Sequence, residues 1–400
     1  MNCGMPKPNI IILILLHNKA QHSNCYFCLI VKSKFCGSFF SSTWAECRLG
    51  RVIIMTEHIL PVATPLITTY PMHTAQMAIA STLAGAEDWL YNYNIMLMIK
   101  KDIVYDCSRF TMLEMFPCSC PLLNRLSIPT FFTGQTEDPV WLFKHYIDNK
   151  QYIVADIDQY FLSDSDEYHK AHDWQPILIY GYNDNSACFK IAGFMHDLKY
   201  TFCEAPYESV IAGFNNAKQI MKRKKMPSNS FVDLINIREH YSFDFCIKTM
   251  FEMLTDYLNS ETPKNYLFQQ VMDIEDAKNF TFGWKVQETL VTYLKAAQHT
   301  GTRCDLRPMH ILHEHKLLMR NRIAFLYKKG CIGESAYNTL SGLVKEMLDV
   351  SSLISKFSIK YNITGESILI IRIIELLNKC MEMDKVITHE LLDAIEKEIP

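Results

Sequence analysis

No uninterrupted apolar stretch in the 400-residue chain approaches the ~18 residues that a membrane-spanning helix requires, so no membrane domain is expected. The chain also lacks the Walker phosphate loop, the G-x-G-x-x-G fingerprint and the G-x-S-x-G elbow. Those absences remove the usual support for nucleotide hydrolysis, dinucleotide redox chemistry and serine hydrolysis. Internal repeats and low-complexity tracts are missing too, which excludes solenoids and arrays. Nor is there an excess of positive charge. The net charge is −3, and because residues 1–54 hold six Lys/Arg against the single acid Glu46, the rest of the chain carries 34 basic and 42 acidic residues. A nucleic-acid partner would need a basic face to displace counterions from phosphates, and none is expected.

Fourteen cysteines are present without the spacing of a disulfide framework. Cys25 and Cys28 form one C-x-x-C and Cys118 and Cys120 one C-x-C, but neither has a second pair to complete four zinc ligands. We therefore expect no metal and no cofactor, and we read the thiols as those of a protein in the reducing cytoplasm. A gap in their distribution matters more, because no cysteine lies between Cys47 and Cys107.

What is present begins with a compositional break. Residues 1–54 hold five of the cysteines and the basic excess, with an apolar run from Asn9 to Leu16 after Lys7 that resembles the start of a secretory signal. The competing reading, favoured by the abrupt change at Met55, is that 1–54 is a non-structural or mis-assigned extension.

From Met55 onward, small and apolar residues at helical spacing predict a buried helix over His73–Ala84, entered after Pro71 and stopped at Gly85. A second, apolar nearly all round, is predicted over Trp89–Ile99, and an amphipathic one over Val140–Asn149. Three β-branched and aromatic runs, Tyr152–Ile157, Pro176–Tyr182 and Ala187–Phe194, predict strands, with Asn183–Ser186 as the turn of a hairpin between the last two. After Phe214 the strands are expected to stop. A basic stretch at Lys218, Lys222, Arg223, Lys224 and Lys225 reads as a boundary or surface linker. Helices are then expected from Ser242 or Asp244 to Leu258, and over Trp284–Gln298, Met309–Lys329, Ser335–Tyr361, Thr364–Met381 and Thr388–Glu398.

Three words in this order carry a resemblance: Tyr152–Phe161 (YIVADIDQYF), Tyr168–Gly181 (YHKAHDWQPILIYG) and Cys188–Phe194 (CFKIAGF), with weaker support from His73–Leu83. Together they resemble papain-like cysteine peptidases, most closely the N-terminal domain of the butirosin-biosynthesis protein H family, over some 140–160 residues. The resemblance implies an α+β fold: a papain-like domain at 55–214 with an antiparallel sheet and a buried N-terminal helix, followed by an all-helical region at 215–400. It also implies a nucleophilic Cys at the start of the buried helix, a His base just before the Ile-Leu-Ile-Tyr-Gly strand, and an Asp in the next strand to orient that His. A helix N-terminus and a neighbouring imidazole both lower a thiol pKa, so the arrangement makes chemical sense.

Mapped onto this chain, the three positions hold His73, Gln175 and Gly193, and none supplies its role. The resemblance thus implies a degenerate enzyme, an accessory protein for peptide or other secondary-metabolite biosynthesis that binds a carrier protein, peptide or acyl intermediate. The alternative is an acyltransferase moving an aminoacyl group from a carrier thioester to an amine, or a peptidase with rearranged residues. It would use Cys107, Cys118 or Cys203 with His172 as base. An acyl- or peptidyl-carrier partner would dock on the basic stretch Lys218–Lys225, since the body is acidic. His310, His313, Glu314 and His315 lack the two His four apart of H-E-x-x-H and are expected on a charged helix surface.

Overall fold

The computed structural model describes residues 56–101, 113–115, 120–129, 138–223, 231–262 and 278–398. The N-terminal extension 1–54, Cys107 and Cys118 lie outside them, and residues 54–400 make up one unit. Its first part runs β1 (Glu57–Ile59), α1 (Pro71–Ala80), α2 (Ala86–Tyr93), β2 (Leu97–Lys100), β3 (Leu113–Met115), β4 (Leu123–Pro129), α3 (Pro139–Asp148), β5 (Tyr152–Asp158), β6 (Trp174–Asn183), β7 (Cys188–Phe194), β8 (Tyr200–Pro206), α4 (Tyr207–Arg223) and β9 (Phe231–Ile237).

The main sheet is antiparallel throughout, in the order β4-β9-β5-β6-β7-β8. In β6 the residues Ile177–Tyr182 are all buried, the mark of a strand covered on both faces. The β6–β7 hairpin closes as its sequence demands, because the Asn183 carboxamide accepts the N–H groups of Asn185 and Ser186 at 2.8 and 3.3 Å and Ala187 takes a positive φ of 51°. The strand β1 pairs with the far half of β6, on the edge that β5 occupies over the near half.

The buried helix forms where its small residues predict it, opening at Pro71 and packing Ala75, Ala78 and Ile79 into the core against β6 and β7. It stops at Ala80, short of the predicted Ala84. The helices α3 and α4 both pack on β5. Phe143, from α3, meets Phe189 at 5.9 Å and Phe214 at 5.4 Å between ring centres, which ties α3 to β7 and α4.

Strands do not stop at Phe214, and this corrects the expectation. The strand β9 comes from beyond it and inserts between β4 and β5, pairing Phe231–Ile237 with Pro129–Leu123 and Tyr152–Val154 with Ile235–Asp233. The run Trp89–Ile99 is likewise not one helix. The Asn94 carboxamide and N–H both bond the Leu90 carbonyl, α2 ends there, and the chain turns into β2. That strand is the centre of a second antiparallel sheet, β10-β2-β3, in which β10 is Phe280–Phe282.

Helices dominate the remainder: α5 (Ile247–Asn259), α6 (Val286–Thr300), α7 (Arg307–Lys328), α8 (Glu334–Thr364) and α9 (Ser367–Glu398). Gly301 and Gly365 end α6 and α8 in the left-handed conformation that favours glycine. The two helices predicted over Thr364–Met381 and Thr388–Glu398 are one. Thr388 does not cap a new helix; its hydroxyl bonds back to the Asp384 carbonyl one turn earlier at 2.7 Å.

Candidate functional site

Two of the three positions that the resemblance picks out, Gln175 and Gly193, are taken up by packing and hydrogen bonding of the sheet. Gln175 opens β6, and its carboxamide donates to the Phe194 carbonyl at 2.6 Å, alongside Gln159, which donates to the same oxygen at 2.7 Å. Where the resemblance would place a base, an amide pair instead pins the end of β7. Gly193 sits one residue before that carbonyl, and a Cβ there would fall 2.3 Å from Ile177 Cδ1. An aspartate has no room unless Ile177 moves.

His73 is the third residue of α1. Its Nε2 is sealed from solvent without a hydrogen-bond partner, although the residue as a whole keeps some exposed surface. Burial pulls its pKa down to about 4, against an opposing pull from Glu314, so the ring is neutral near pH 7. Glu314 reaches over from α7 and accepts from the Thr68 N–H and from the hydroxyls of Thr68 and Thr69, at 2.5–2.9 Å. It clamps the segment that leads into α1. No hydrogen bond, ion pair or ring contact among the described residues joins His73 to Gln175, Gly193 or His172.

The reading of His310–His315 as a charged helix surface is corrected by the same helix. Only His310 is exposed; Glu314 is buried, and His315 is wholly enclosed on another side, with its Nε2 2.7 Å from the Ile95 carbonyl. Burial, followed by Lys316 and Arg322, holds the His315 pKa well below the ordinary value.

His172 has a partner that the sequence did not reveal. Its Nδ1 lies 2.7 Å from Oδ2 of Asp158, whose side chain is fully buried at the end of β5. Asn216, from α4, donates to the same Oδ2 at 2.5 Å, and the Tyr160 N–H donates to Oδ1 at 3.1 Å. The Tyr160 ring stacks on the imidazole at 4.3 Å. The close approach of α4 makes this possible: a Cβ at Gly213 would fall 2.7 Å from Ile157 and 2.9 Å from the Asp158 carbonyl, and Asn216 stands three residues on, along the same helix face. With Nδ1–H given to Asp158, the tautomer assigned from that bond, Nε2 is the acceptor on a residue whose side chain is half exposed. The pair has the geometry of an imidazole held in place by a buried carboxylate.

Of the three candidate thiols, Cys203 alone falls among the described residues. Burial, reinforced by Asp164, pushes the Cys203 thiol up to about 12. Lys218 lies over the Phe214 ring at 4.3 Å, and burial lowers its pKa, while residues 224 and 225 of the basic stretch lie outside the described residues. Asp166, His196 and Asp197 bring possible ligand atoms within 4.8 Å of one another. They are a surface cluster satisfied by its own contacts, with His196 Nδ1 at 2.6 Å from Asp166, and no metal role is assigned to them. A cleft of about 420 Å³ opens at the smaller sheet, lined by Lys101, Phe280, Lys285 and Thr289, away from all of these groups.

No protein-family model matches the chain, and no curated protein is significantly similar to it.

Proposed function

We propose that the protein is an accessory factor with a cysteine-peptidase-like domain that binds a carrier protein, peptide or acyl intermediate of secondary-metabolite biosynthesis without forming a covalent acyl intermediate. The observation that carries this reading is the pair Gln175 and Gly193. One is committed to the Phe194 carbonyl and the other is walled in by Ile177, so two of the three triad positions serve packing. The third has a neutral imidazole, its Nε2 sealed from solvent, and no thiol. Binding survives such losses, because apolar walls and strand edges do not depend on the triad.

A second reading, acid–base assistance to acyl transfer, is favoured by the His172–Asp158 pair, since an oriented imidazole with one free nitrogen is what a general base requires. One experiment addresses both. The full chain is titrated with a peptidyl-carrier protein bearing an aminoacyl phosphopantetheine thioester, with affinity measured calorimetrically and thioester integrity by intact mass. Saturable binding with the thioester intact is the expected result. Failure to bind sinks the accessory role, and thioester loss that disappears in His172→Ala transfers the case to the second reading.

A further inference from the structure

We infer that the closed end of the α8–α9 hairpin is a self-association surface, and that its occupant is a second copy of this chain. Of the twelve large apolar side chains exposed among the described residues, five fall within residues 353–371, on either side of the turn at Gly365. Ile363 is the most open of the twelve at 78%, joined by Ile368 at 57%, Ile359 at 48% and Ile371 at 44%.

Ile359 and Ile363 stand one turn apart on α8, and Ile368 and Ile371 three residues apart on α9, so each pair shares a helix face. Those faces point away from the core, because the opposite stripes, Ile354, Ser358 and Tyr361 on α8 and Ile370, Ile373 and Leu377 on α9, are buried. Farther from the turn the exposed positions are polar, with Lys345 and Asp349 on α8 and Lys379 and Glu382 on α9. Solvation accounts for those residues and leaves the four isoleucines unexplained.

Two observations select a second copy over other occupants. The first is area. The exposed parts of the four isoleucines come to about 400 Å², a size at which apolar surface marks a contact site. Beside them lie the pairs Lys360–Glu366 and Arg372–Glu375, each side chain about half exposed or more, which bring the surface to roughly 800 Å², the share one partner contributes to a stable dimer.

The second is charge. Each pair joins a cation to an anion, at 3.8 and 2.9 Å, and with the exposed Lys356 the surround carries one positive charge in excess. An anionic lipid surface calls for a basic cluster, and a strongly charged partner for a rim of one sign. A nearly balanced rim instead complements itself under a twofold axis, which can set the cations of each copy against the glutamates of the other while the isoleucines close together. Because the chain from Met55 onward is acidic, such a patch is also where two copies approach with least repulsion.

The test is sedimentation equilibrium of the full chain between roughly 1 and 300 µM, comparing the parent with Ile363→Lys, Ile371→Glu and, on α9 but far from the turn, Val386→Lys. A reversible dimer is expected. Each isoleucine variant should weaken it roughly a hundredfold, since a twofold contact carries every change twice at about tenfold each, and Val386→Lys should leave it unchanged. Circular dichroism at the lowest concentration checks that the variants keep the fold. Cross-linking of mixed light and heavy-isotope parent chains, which needs no variant, should give intermolecular links at Lys356 and Lys360. A monomer throughout, a dimer that neither isoleucine variant weakens, or intermolecular links that avoid both lysines would overturn the surface. Binding of a monomer to phosphatidylglycerol vesicles, lost in Ile363→Lys, would overturn it in favour of a lipid.

Discussion

Lys316 Nζ and Asp384 Oδ2 stand 2.6 Å apart between α7 and α9, with neither side chain reaching solvent. The Tyr257 hydroxyl and the Gln287 amide also donate to that oxygen, while Asp384 Oδ1 and Gln287 Oε1 have no partner. Arg322, also fully buried, is satisfied by the Tyr91 and Asn94 carbonyls at 2.8 and 2.7 Å. Burial brings its pKa down to about 10. The contact between the helices and α2 is thus polar at its centre.

Breaking the buried pair on one side strands a charge. Lys316→Met should cost about 3–5 kcal/mol in denaturant unfolding, and the double variant Lys316→Met with Asp384→Leu should recover most of that loss. A single variant as stable as the parent would show that the pair is not closed to water.

The tight fit at Gly193 gives a packing test. Gly193→Ala should lose about 1–3 kcal/mol, because its methyl would meet Ile177 Cδ1. Ile177→Val removes that carbon, so the double variant should melt higher than Gly193→Ala alone. If Gly193→Ala melts with the parent, the position has space that the backbone does not show, and an aspartate there becomes admissible.

Two partly buried groups set opposite pH dependences. His73 has its folded pKa lowered from 6.5 to about 4 by burial, so between those values the unfolded chain binds more protons and stability falls as pH drops through that window. Asp156 is raised from 3.8 to about 6 by burial and by Asp233, so the folded chain binds more protons between those values and stability falls as pH rises through them. Asp156→Asn should therefore stabilise by about 1–3 kcal/mol above pH 6 and by little below pH 4. His73→Gln should flatten the acid-side loss between pH 6.5 and pH 4. Thermal melts across pH 3.5–8 check both, and a pH-independent gain in Asp156→Asn would contradict the assigned cause.

Local patterns carried much of this fold. The β-branched and aromatic runs at Tyr152, Ile177 and Cys188 became strands because their composition and the turn residues that bound them agreed, and the helix predicted over Trp284–Gln298 closes at Gly301. The misses have physical reasons. Phe231–Ile237 is a β-rich run whose Val232 and Leu234 are buried, but its pairing partner lies at Leu123–Pro129, and no local signal reaches that far. Trp89–Ile99 is apolar all round because α2 and β2 are both buried, so periodicity could not separate them. The site was read at Gln175 and Gly193 through a resemblance. Asp158 escaped notice because its meeting with His172, fourteen residues on, depends on where the chain turns and on the approach of α4 at Gly213.

The insertion of β9 between β4 and β5 also sets an order of events during synthesis. Until Phe231–Ile237 has left the ribosome, the edges of β4 and β5 that it will join are open, with backbone donors and acceptors exposed to any passing strand. The sheet must wait for its own interior, and a nascent chain stalled after α4 would present templates for aggregation even though most of its strands had already been made.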